Sequence, residues 1–293
     1  MTAPGGTAKL AGHEVARIGF GAMQLERATV RKDTALAILR QAAGAGVNHI
    51  DTAHFYGPCN TLIREALAPY PDDLVLVTKV GADRDGDGKL IPAQRPAQLR
   101  AQVEANLTEL GADQVGVVNL RRLDAPPGLV AEGDQLVDLD DQLAELTALR
   151  DAGKIGGIGL SSVYADQLRQ ALPTGIACVQ NFYSVLDRTA APVLELCREH
   201  AIAWVPFCPL GSAFPSWPKV TADPAVIALA AELAVTPAQL GLAWLLADYE
   251  NTLLIPGTAD PAHLAENLAA GAIRLPAPAV AALSQLAAGG SRA

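Results

Sequence analysis

The 293-residue sequence has few aromatic residues, few sulfur-containing residues and a deficit of positive charge. Its cysteines have neither metal-ligand nor disulfide-framework spacing, and they are Cys59, Cys178, Cys197 and Cys208. No run approaches the roughly 18–20 apolar residues that a membrane-spanning helix requires. The formal net charge of −9 argues against a nucleic-acid or anionic-membrane surface. We therefore expect free thiols in a reducing cytoplasm, no metal site, and neither nucleic acid nor membrane as a partner.

What the sequence does contain is apolar surface, since half of its residues are apolar and can bury a large core. Short β-rich runs alternate with longer helical runs, and the eight strand candidates are "ARIGFG", "VNHID", "LVLVTK", "VGVVNLR", "IGGIGLS", "IACVQN", "AIAWVPF" and "TLLIPG". Several are continuously apolar, as strands are when both faces of a sheet are covered. This pattern predicts an α/β fold, a (β/α)8 TIM barrel forming a single domain over residues 1–293. A doubly wound parallel sheet is the alternative.

Three segments lie outside this alternation. "AKLAGHEV", with Gly12 at its turn, predicts an N-terminal β-hairpin that closes the bottom of the barrel. "PAPAVAALSQLAAG" predicts an extra C-terminal helix on the outside. "DRDGDGKLIPAQ", which starts at Asp83, has the acidic spacing of a calcium loop, but Gln94 replaces the bidentate glutamate that such a loop needs. We expect this last segment to be a mobile, solvated loop.

Polar and small residues follow the apolar runs, and in such barrels the chemistry lies at those strand ends. Asp51 ends the second run and Lys79 the third, at about the same height on neighbouring strands. We expect them to pair, because either charge is costly to bury alone. Tyr56 follows Asp51 in the next loop. A phenol titrates at about pH 10, and a nearby ammonium lowers that pKa, which suits a proton donor. A purely structural ion pair is the alternative.

The motifs "IDTAHFYG", "LVTKVG", "QNFYS" and "LLIPGT" occur in that order. With them the chain resembles the aldo-keto reductase superfamily over Ile18 to Asn267, nearly its whole length. The resemblance implies an oxidoreductase that uses NADPH to reduce a small-molecule aldehyde or ketone to an alcohol. It assigns proton donation to Tyr56, tuned by Lys79 and Asp51, while hydride comes from C4 of the nicotinamide. A monomer or homodimer is expected. The alternative is a nucleotide-binding regulatory or redox-sensor protein of the same fold with little turnover.

One catalytic position departs from the family pattern. The family usually has a histidine at the end of the fourth strand, whereas "VVNLR" places Arg121 there. Arginine donates hydrogen bonds but stays charged and cannot exchange protons, and it adds a second cation near Tyr56. We therefore expect an altered substrate preference or weaker general carbonyl reduction, and a further lowered pKa for Tyr56. The alternative is that Arg121 merely pairs with a loop carboxylate such as Asp124.

The resemblance also assigns residues to the cofactor. Along the cofactor from the nicotinamide to the adenosine they are Gly21, Ala22, Met23, Asp51, Ser161, Ser162, Gln180, Phe207, then "CPLGS" (Cys208, Pro209, Leu210, Gly211, Ser212), and finally Pro256, Gly257, Thr258, His263, Glu266 and Asn267. The lysine or arginine often found at the adenosine end is missing. NADPH is expected on family grounds, and NADH stays an open alternative. An apolar entrance for a hydrophobic carbonyl substrate is predicted from Phe55, Leu123, Phe182 and Trp217.

Overall fold

A computed structural model describes residues 3–124, 128–211 and 217–287. The strands are β1 (Thr7–Leu10), β2 (His13–Ala16), β3 (Phe20–Gly21), β4 (His49–Asp51), β5 (Val75–Val80), β6 (Ala82–Arg84), β7 (Leu90–Pro92), β8 (Val115–Arg121), β9 (Ile155–Ser161), β10 (Ile176–Gln180) and β11 (Ala203–Trp204). The α-helices are α1 (Lys32–Gly44), α2 (Cys59–Leu67), α3 (Pro96–Leu110), α4 (Leu139–Asp151), α5 (Ala165–Ala171), α6 (Ala191–Glu199), α7 (Pro224–Glu232), α8 (Pro237–Asp248), α9 (Pro261–Ala269) and α10 (Ala277–Leu286). Short 3-10 helices cover Ala22–Glu26, Gly133–Gln135, Leu172–Thr174, Val220–Ala222 and Ala270–Ala272.

A parallel sheet runs in the order β3, β4, β5, β8, β9, β10, β11. The eighth predicted run is not a full strand, yet it closes this sheet. Thr252 forms a parallel bridge with Trp204 of β11, and Leu254 forms one with Ile18 just before β3. The backbone N–H of Gly19 donates to the carbonyl oxygen of Leu254 at 2.8 Å. The sheet therefore closes into the predicted (β/α)8 barrel, and the doubly wound alternative is wrong.

Alternate residues of the strands face the barrel interior. The register keeps them level from strand to strand, pairing Val77 with Val117 and Asn119 with Gly159. An inner apolar cluster contains Leu10, Val15, Val75, Val77, Val117, Cys178, Ala203, Val205 and Leu253. Because Leu10 and Val15 belong to the β1–β2 hairpin, that hairpin closes the N-terminal end of the barrel, as the sequence predicts. The opposite end carries the polar residues.

The helices pack on the outside, and α4, α7, α8 and α9 begin where a side chain accepts from their first backbone N–H groups. Thr236 Oγ1 accepts from the backbone N–H of Gln239 at the start of α8, and Gln239 Oε1 accepts from the backbone N–H of Thr236. α10 is the predicted extra C-terminal helix. Trp244 of α8 donates from Nε1 to Ser284 Oγ of α10 at 3.0 Å, which fixes this outer helix against the barrel.

None of the described helices is by itself long and apolar enough to cross a membrane. α7 and α8 meet the requirements of length and composition only as a pair, and that pair is bent by 88° at its junction. Most residues of α8 are buried in the protein.

The segment starting at Asp83 is a hairpin rather than the loop expected from the sequence. β6 and β7 pair antiparallel, with Asp83 opposite Ile91. The carboxylate of Asp85 accepts from the backbone N–H groups of Asp87 at 3.0 Å and Lys89 at 2.9 Å, so an acidic side chain of the apparent calcium motif stabilises the turn. Arg84 donates to the Phe55 carbonyl oxygen at 2.8 Å and ties the hairpin to the barrel rim.

Candidate active site

Asp51 and Lys79 form a buried ion pair at the ends of β4 and β5. Their side chains are 4% and 7% exposed. Lys79 Nζ donates to Asp51 Oδ1 and also to the carbonyl oxygen of Thr52 at 3.1 Å. Gln180 Nε2, from β10, donates to Asp51 Oδ2 at 2.7 Å. Both carboxylate oxygens therefore have donors, which is the condition under which a buried charge pair is tolerated.

Tyr56 lies against this pair. Lys79 Nζ is 5.0 Å from the centroid of the Tyr56 ring, and Phe55 packs edge-on against the same ring with centroids 5.1 Å apart. Burial raises the pKa of Tyr56, while the positive charge of Lys79 lowers it, Asp51 raises it and Arg121 lowers it. The net pKa is raised. The expectation of a lowered phenol pKa is therefore wrong, because loss of solvent outweighs the two cations.

Lys79 stays charged in this setting. Burial on its own would lower the pKa of Lys79, but the negative charge of Asp51, together with Tyr56, raises it above the ordinary lysine value. The site thus holds an ammonium group, its carboxylate partner and a neutral phenol within one buried cluster. The three side chains come together as the sequence predicts.

Arg121 ends β8 on the interior face. The register pairs Arg121 with Ser161 of β9 and Ser161 with Gln180 of β10, so the three residues form one row across the rim. The Arg121 guanidinium carbon is 6.0 Å from the centroid of the Phe55 ring. Burial lowers the pKa of Arg121 and Tyr56 raises it, but an arginine starts so far above neutrality that it remains a cation.

The alternative that Arg121 pairs with Asp124 is wrong. The neighbouring residue, Arg122, binds Asp124 through two hydrogen bonds, from Nε at 2.9 Å and from NH2 at 2.7 Å. Because strand residues alternate between faces, the two consecutive arginines point in different directions and only Arg122 reaches this acid. Among residues 3–124, 128–211 and 217–287, no carboxylate lies within 4.0 Å of the Arg121 guanidinium.

Gln180 has a buried acceptor that suits a bound carboxamide, and Ser162 lies beside it. Gln180 Oε1 is buried and accepts no hydrogen bond from any described residue, so it is an acceptor that a ligand N–H can satisfy. Ser162 adopts φ of 58°, and its backbone N–H donates to the Gln180 carbonyl oxygen at 2.9 Å. This uncommon backbone conformation leaves the Ser162 side chain exposed at the rim.

Aromatic rings line a cleft beside this row. Phe182 lies 6.1 Å from Phe207 and 4.2 Å from Trp217 between ring centroids. These three rings contribute to the walls of a cleft of about 530 Å³. The other two residues expected at the entrance do not line its surface, because Phe55 is 4% exposed and Leu123 is 3% exposed.

Gly21 and Gly257 meet at the seam of the barrel, which the sequence analysis did not anticipate. A Cβ atom on Gly21 would lie 2.5 Å from the carbonyl oxygen of Ile255, and one on Gly257 would lie 2.3 Å from that of Gly21. Both glycines are therefore required by the close approach of the first and last strands. Ala22 is buried and Met23 is 39% exposed beside this seam; their contact with a cofactor stays a prediction.

The predicted pyrophosphate segment begins with a tight turn. The backbone N–H of Gly211 donates to the Cys208 carbonyl oxygen at 2.9 Å across Pro209 and Leu210. Burial raises the pKa of the Cys208 thiol to about 11, against the lowering effect of Lys79, so the thiol is neutral at neutral pH. Ser212 lies outside the described residues.

The predicted adenosine residues surround the start of α9. Asp260 caps this helix by accepting from the backbone N–H of Ala262 at 2.7 Å. Glu266 already accepts a hydrogen bond from the Thr236 hydroxyl. The remaining members of the set are the buried Pro256, Thr258 and Asn267, the seam residue Gly257 and the exposed His263. Their role in binding the adenosine end of a cofactor stays a prediction.

A closed parallel barrel with an Asp–Lys pair packed against a tyrosine is the arrangement that the family resemblance implies. The model of the Aldo/keto reductase family matches residues 17–288. The chain belongs to the aldo/keto reductase family. This aldo/keto reductase is therefore an oxidoreductase by family, and the structural neighbours agree with its fold.

Its relatives include one at 42% identity. That protein is the pyridoxine 4-dehydrogenase of Escherichia coli K12, matched over 269 residues, which are 89% of this chain and 91% of the relative. An uncharacterized oxidoreductase of Schizosaccharomyces pombe is 33% identical and covers 96% of this chain and 89% of its own. Among solved structures, an aldo-keto reductase from Klebsiella pneumoniae in complex with NADPH has a TM-score of 0.80 at 24% identity, covering 98% of this chain and 96% of that one.

A buried polar network beneath the aldo/keto reductase site was missed by the sequence analysis. Thr52, whose carbonyl oxygen receives Lys79, donates from Oγ1 to Asn60 at 2.8 Å. Asn60 donates to Glu109 at 2.8 Å, and Glu109 bonds His54 Nδ1 at 3.0 Å. The hydrogen bond to Glu109 raises the pKa of His54. The network connects α2 and α3 to the loop that carries Tyr56.

Proposed function

We propose that this aldo/keto reductase uses NADPH to reduce an aldehyde to an alcohol, with Tyr56 as the proton donor. The observation that carries the proposal is the Asp51–Lys79 pair, buried against the Tyr56 ring at the carboxyl end of the barrel strands. In TIM-barrel enzymes that end holds the active site. The bound nicotinamide would supply hydride to the carbonyl carbon, and the protein supplies the proton.

The raised pKa of Tyr56 suits a proton donor in the direction of reduction. Burial keeps the phenol protonated, so its hydroxyl carries the proton that the carbonyl oxygen needs. As that proton leaves, negative charge develops on the phenol oxygen beside the Lys79 ammonium, which stabilises it. Asp51 and the Thr52 carbonyl oxygen hold Lys79 in place throughout.

Several residues are suited to hold the cofactor. Gln180 Oε1, which is buried without a partner among the described residues, can accept from the carboxamide of the nicotinamide, and Ser161 lies beside it in the same row. Phe207 offers a ring face. The NADPH complex of the Klebsiella pneumoniae protein supports this choice of cofactor. The absence of a basic side chain at the predicted adenosine positions makes a comparison of KM for NADPH and NADH the test between the two.

Pyridoxal is the first aldehyde to test. The relative at 42% identity is named for dehydrogenation of pyridoxine at position 4, and the reverse of that reaction reduces pyridoxal. Phe182 and Trp217, which the sequence predicts at the substrate entrance, lie 4.2 Å apart between ring centroids and offer apolar surface to a flat ring.

The experiment combines binding and turnover. The protein is titrated with NADPH by fluorescence, and the loss of NADPH absorbance is then followed with pyridoxal and a panel of other aldehydes, ketones and quinones. We expect saturable binding, and NADPH oxidation with at least one aldehyde. Tight binding without oxidation across the whole panel would contradict the proposal and favour the nucleotide-binding sensor, which is the alternative that Arg121 keeps open.

A further inference from the structure

Arg121 is a cation without a counter-ion at the centre of the proposed site. Lys79 has Asp51 as its partner, so those two charges cancel. The Arg121 guanidinium is half-buried, and no carboxylate of the described residues lies within 4.0 Å of it. Removing a guanidinium from water costs free energy unless an anion or acceptor compensates. The charge balance therefore leaves one positive charge for a ligand to satisfy.

The acids of the rim are already engaged elsewhere. Asp124 accepts from Arg122 and, at 2.7 Å, from Gln167 Nε2. Glu26 pairs with Arg84 at 3.0 Å. A change of rotamer by Arg121 toward either acid would compete with an existing cation, so neither Asp124 nor Glu26 is a free partner for Arg121.

The position of Arg121 identifies which part of a ligand it reaches. Its backbone is held by pairing with Ser161 and by Gln94 Nε2, which donates to the Arg121 carbonyl oxygen at 2.8 Å. Its guanidinium carbon lies 6.0 Å from the centroid of the Phe55 ring, and Phe55 packs edge-on against the Tyr56 ring with centroids 5.1 Å apart. Arg121 therefore lies near the proton donor, in the same row as Ser161 and Gln180 of the proposed carboxamide site.

We propose that Arg121 determines substrate specificity by binding an anionic oxygen on the carbon adjacent to the one that bears the reacting carbonyl. This inference rests on the proposed function. The matching substrates are aromatic aldehydes with an ionised hydroxyl ortho to the aldehyde. The planar fork of a guanidinium can donate at once to the carbonyl oxygen and to the neighbouring oxygen anion, which a histidine cannot do. Pyridoxal, with its ring hydroxyl next to the aldehyde, has this arrangement.

The test uses three aldehydes that differ only in one hydroxyl: 2-hydroxybenzaldehyde, 3-hydroxybenzaldehyde and benzaldehyde. Values of kcat/KM are measured at saturating NADPH for the unmutated enzyme, Arg121→Met and Arg121→His. The matched control is Arg169→Met, which removes the same charge from an exposed position of α5. We expect the unmutated enzyme and the control to prefer the 2-hydroxy compound by at least about tenfold over both others, because charge-assisted hydrogen bonds have roughly this value. In Arg121→Met and Arg121→His this preference should be lower by about tenfold than in the control variant.

A pH series on the unmutated enzyme keeps the test decisive if a variant does not fold. The ratio of kcat/KM for 2-hydroxybenzaldehyde to that for benzaldehyde should rise as the hydroxyl of the substrate ionises. Titration of Tyr56 affects both substrates equally and cancels in the ratio.

The possible outcomes distinguish a wrong role for Arg121 from a wrong proposal of reductase activity. Reduction of benzaldehyde and 2-hydroxybenzaldehyde at equal kcat/KM, or a preference that persists in Arg121→Met, overturns the role of Arg121 and leaves the reductase proposal intact. NADPH oxidation with none of the aldehydes, pyridoxal included, overturns both.

Discussion

Replacement of Lys79 by methionine removes a buried positive charge while it keeps most of the apolar stem. Asp51 Oδ1 then loses its donor, whereas Oδ2 keeps the hydrogen bond from Gln180 at 2.7 Å. The carboxylate is only 4% exposed, so water compensates little for the lost partner. The variant therefore contains a buried negative charge with one hydrogen bond in place of an ion pair.

The unpaired carboxylate of Asp51 determines how much stability the Lys79→Met variant loses. Removal of one partner from a buried pair destabilises a protein by about 3–5 kcal/mol, and the surviving bond from Gln180 places the expected loss near about 3 kcal/mol. Most of this loss comes from the unpaired charge on Asp51. The double variant Asp51→Asn/Lys79→Met, which has no charge to bury, should therefore recover at least about half of the lost free energy of unfolding.

Urea-induced unfolding, followed by circular dichroism for the unmutated protein, both single variants and the double variant, completes a double-mutant cycle. We expect a coupling free energy of at least about 2 kcal/mol between the two positions. An unfolding free energy for Lys79→Met within about 0.5 kcal/mol of the unmutated protein would refute the reasoning, since an unpaired buried carboxylate cannot be that well tolerated.

Three further predictions concern stability. Burial lowers the pKa of His49 to about 4, below the 6.5 of the unfolded chain, so the stability that neutral His49 contributes is complete above pH 6.5 and is lost as the pH falls toward 4. Between pH 7 and pH 5 the free energy of unfolding should therefore fall by about 2 kcal/mol, and in His49→Leu this part of the pH dependence should disappear. Gly21→Ala should lower the melting temperature or prevent folding, because its Cβ meets the Ile255 carbonyl oxygen at 2.5 Å, whereas Gly86→Ala, with nothing within 4 Å, should not. Asp124→Asn should lower the free energy of unfolding by about 1–3 kcal/mol in urea titrations, since it weakens the charge-assisted bonds to Arg122; an unchanged midpoint would contradict that pairing.

The barrel could be predicted from the sequence because the patterns that indicate each strand and each helix lie within short segments of the chain. Each strand is a short apolar run followed by a helical run, and the order of the runs fixes the neighbours in a parallel sheet. The last run, around Leu254, forms only bridges to its two neighbours, yet its place in the order was sufficient to predict closure. Asp51 and Lys79 were expected to pair for the same reason, since each ends one of two neighbouring strands.

What the sequence could not supply depends on contacts between distant residues. Asn60 and Asn106 are 46 positions apart and meet only when α2 packs against α3. The net pKa of Tyr56 depends on the balance between burial and the Lys79 charge, and burial is a property of the folded protein. Arg122 and not Arg121 binds Asp124 because β8 ends at Arg121, and the residue spacing in the sequence does not show where that strand ends.

The direct test of the central claim is the rate of a single turnover by Tyr56→Phe with NADPH bound and an accepted aldehyde in excess. The variant keeps the ring that packs against Phe55 and Lys79 and removes only the hydroxyl. The account predicts unchanged NADPH affinity and a rate of NADPH oxidation lower by about 10²–10⁴-fold, the usual contribution of a positioned proton donor. A rate within twofold of the unmutated enzyme would show that another group delivers the proton.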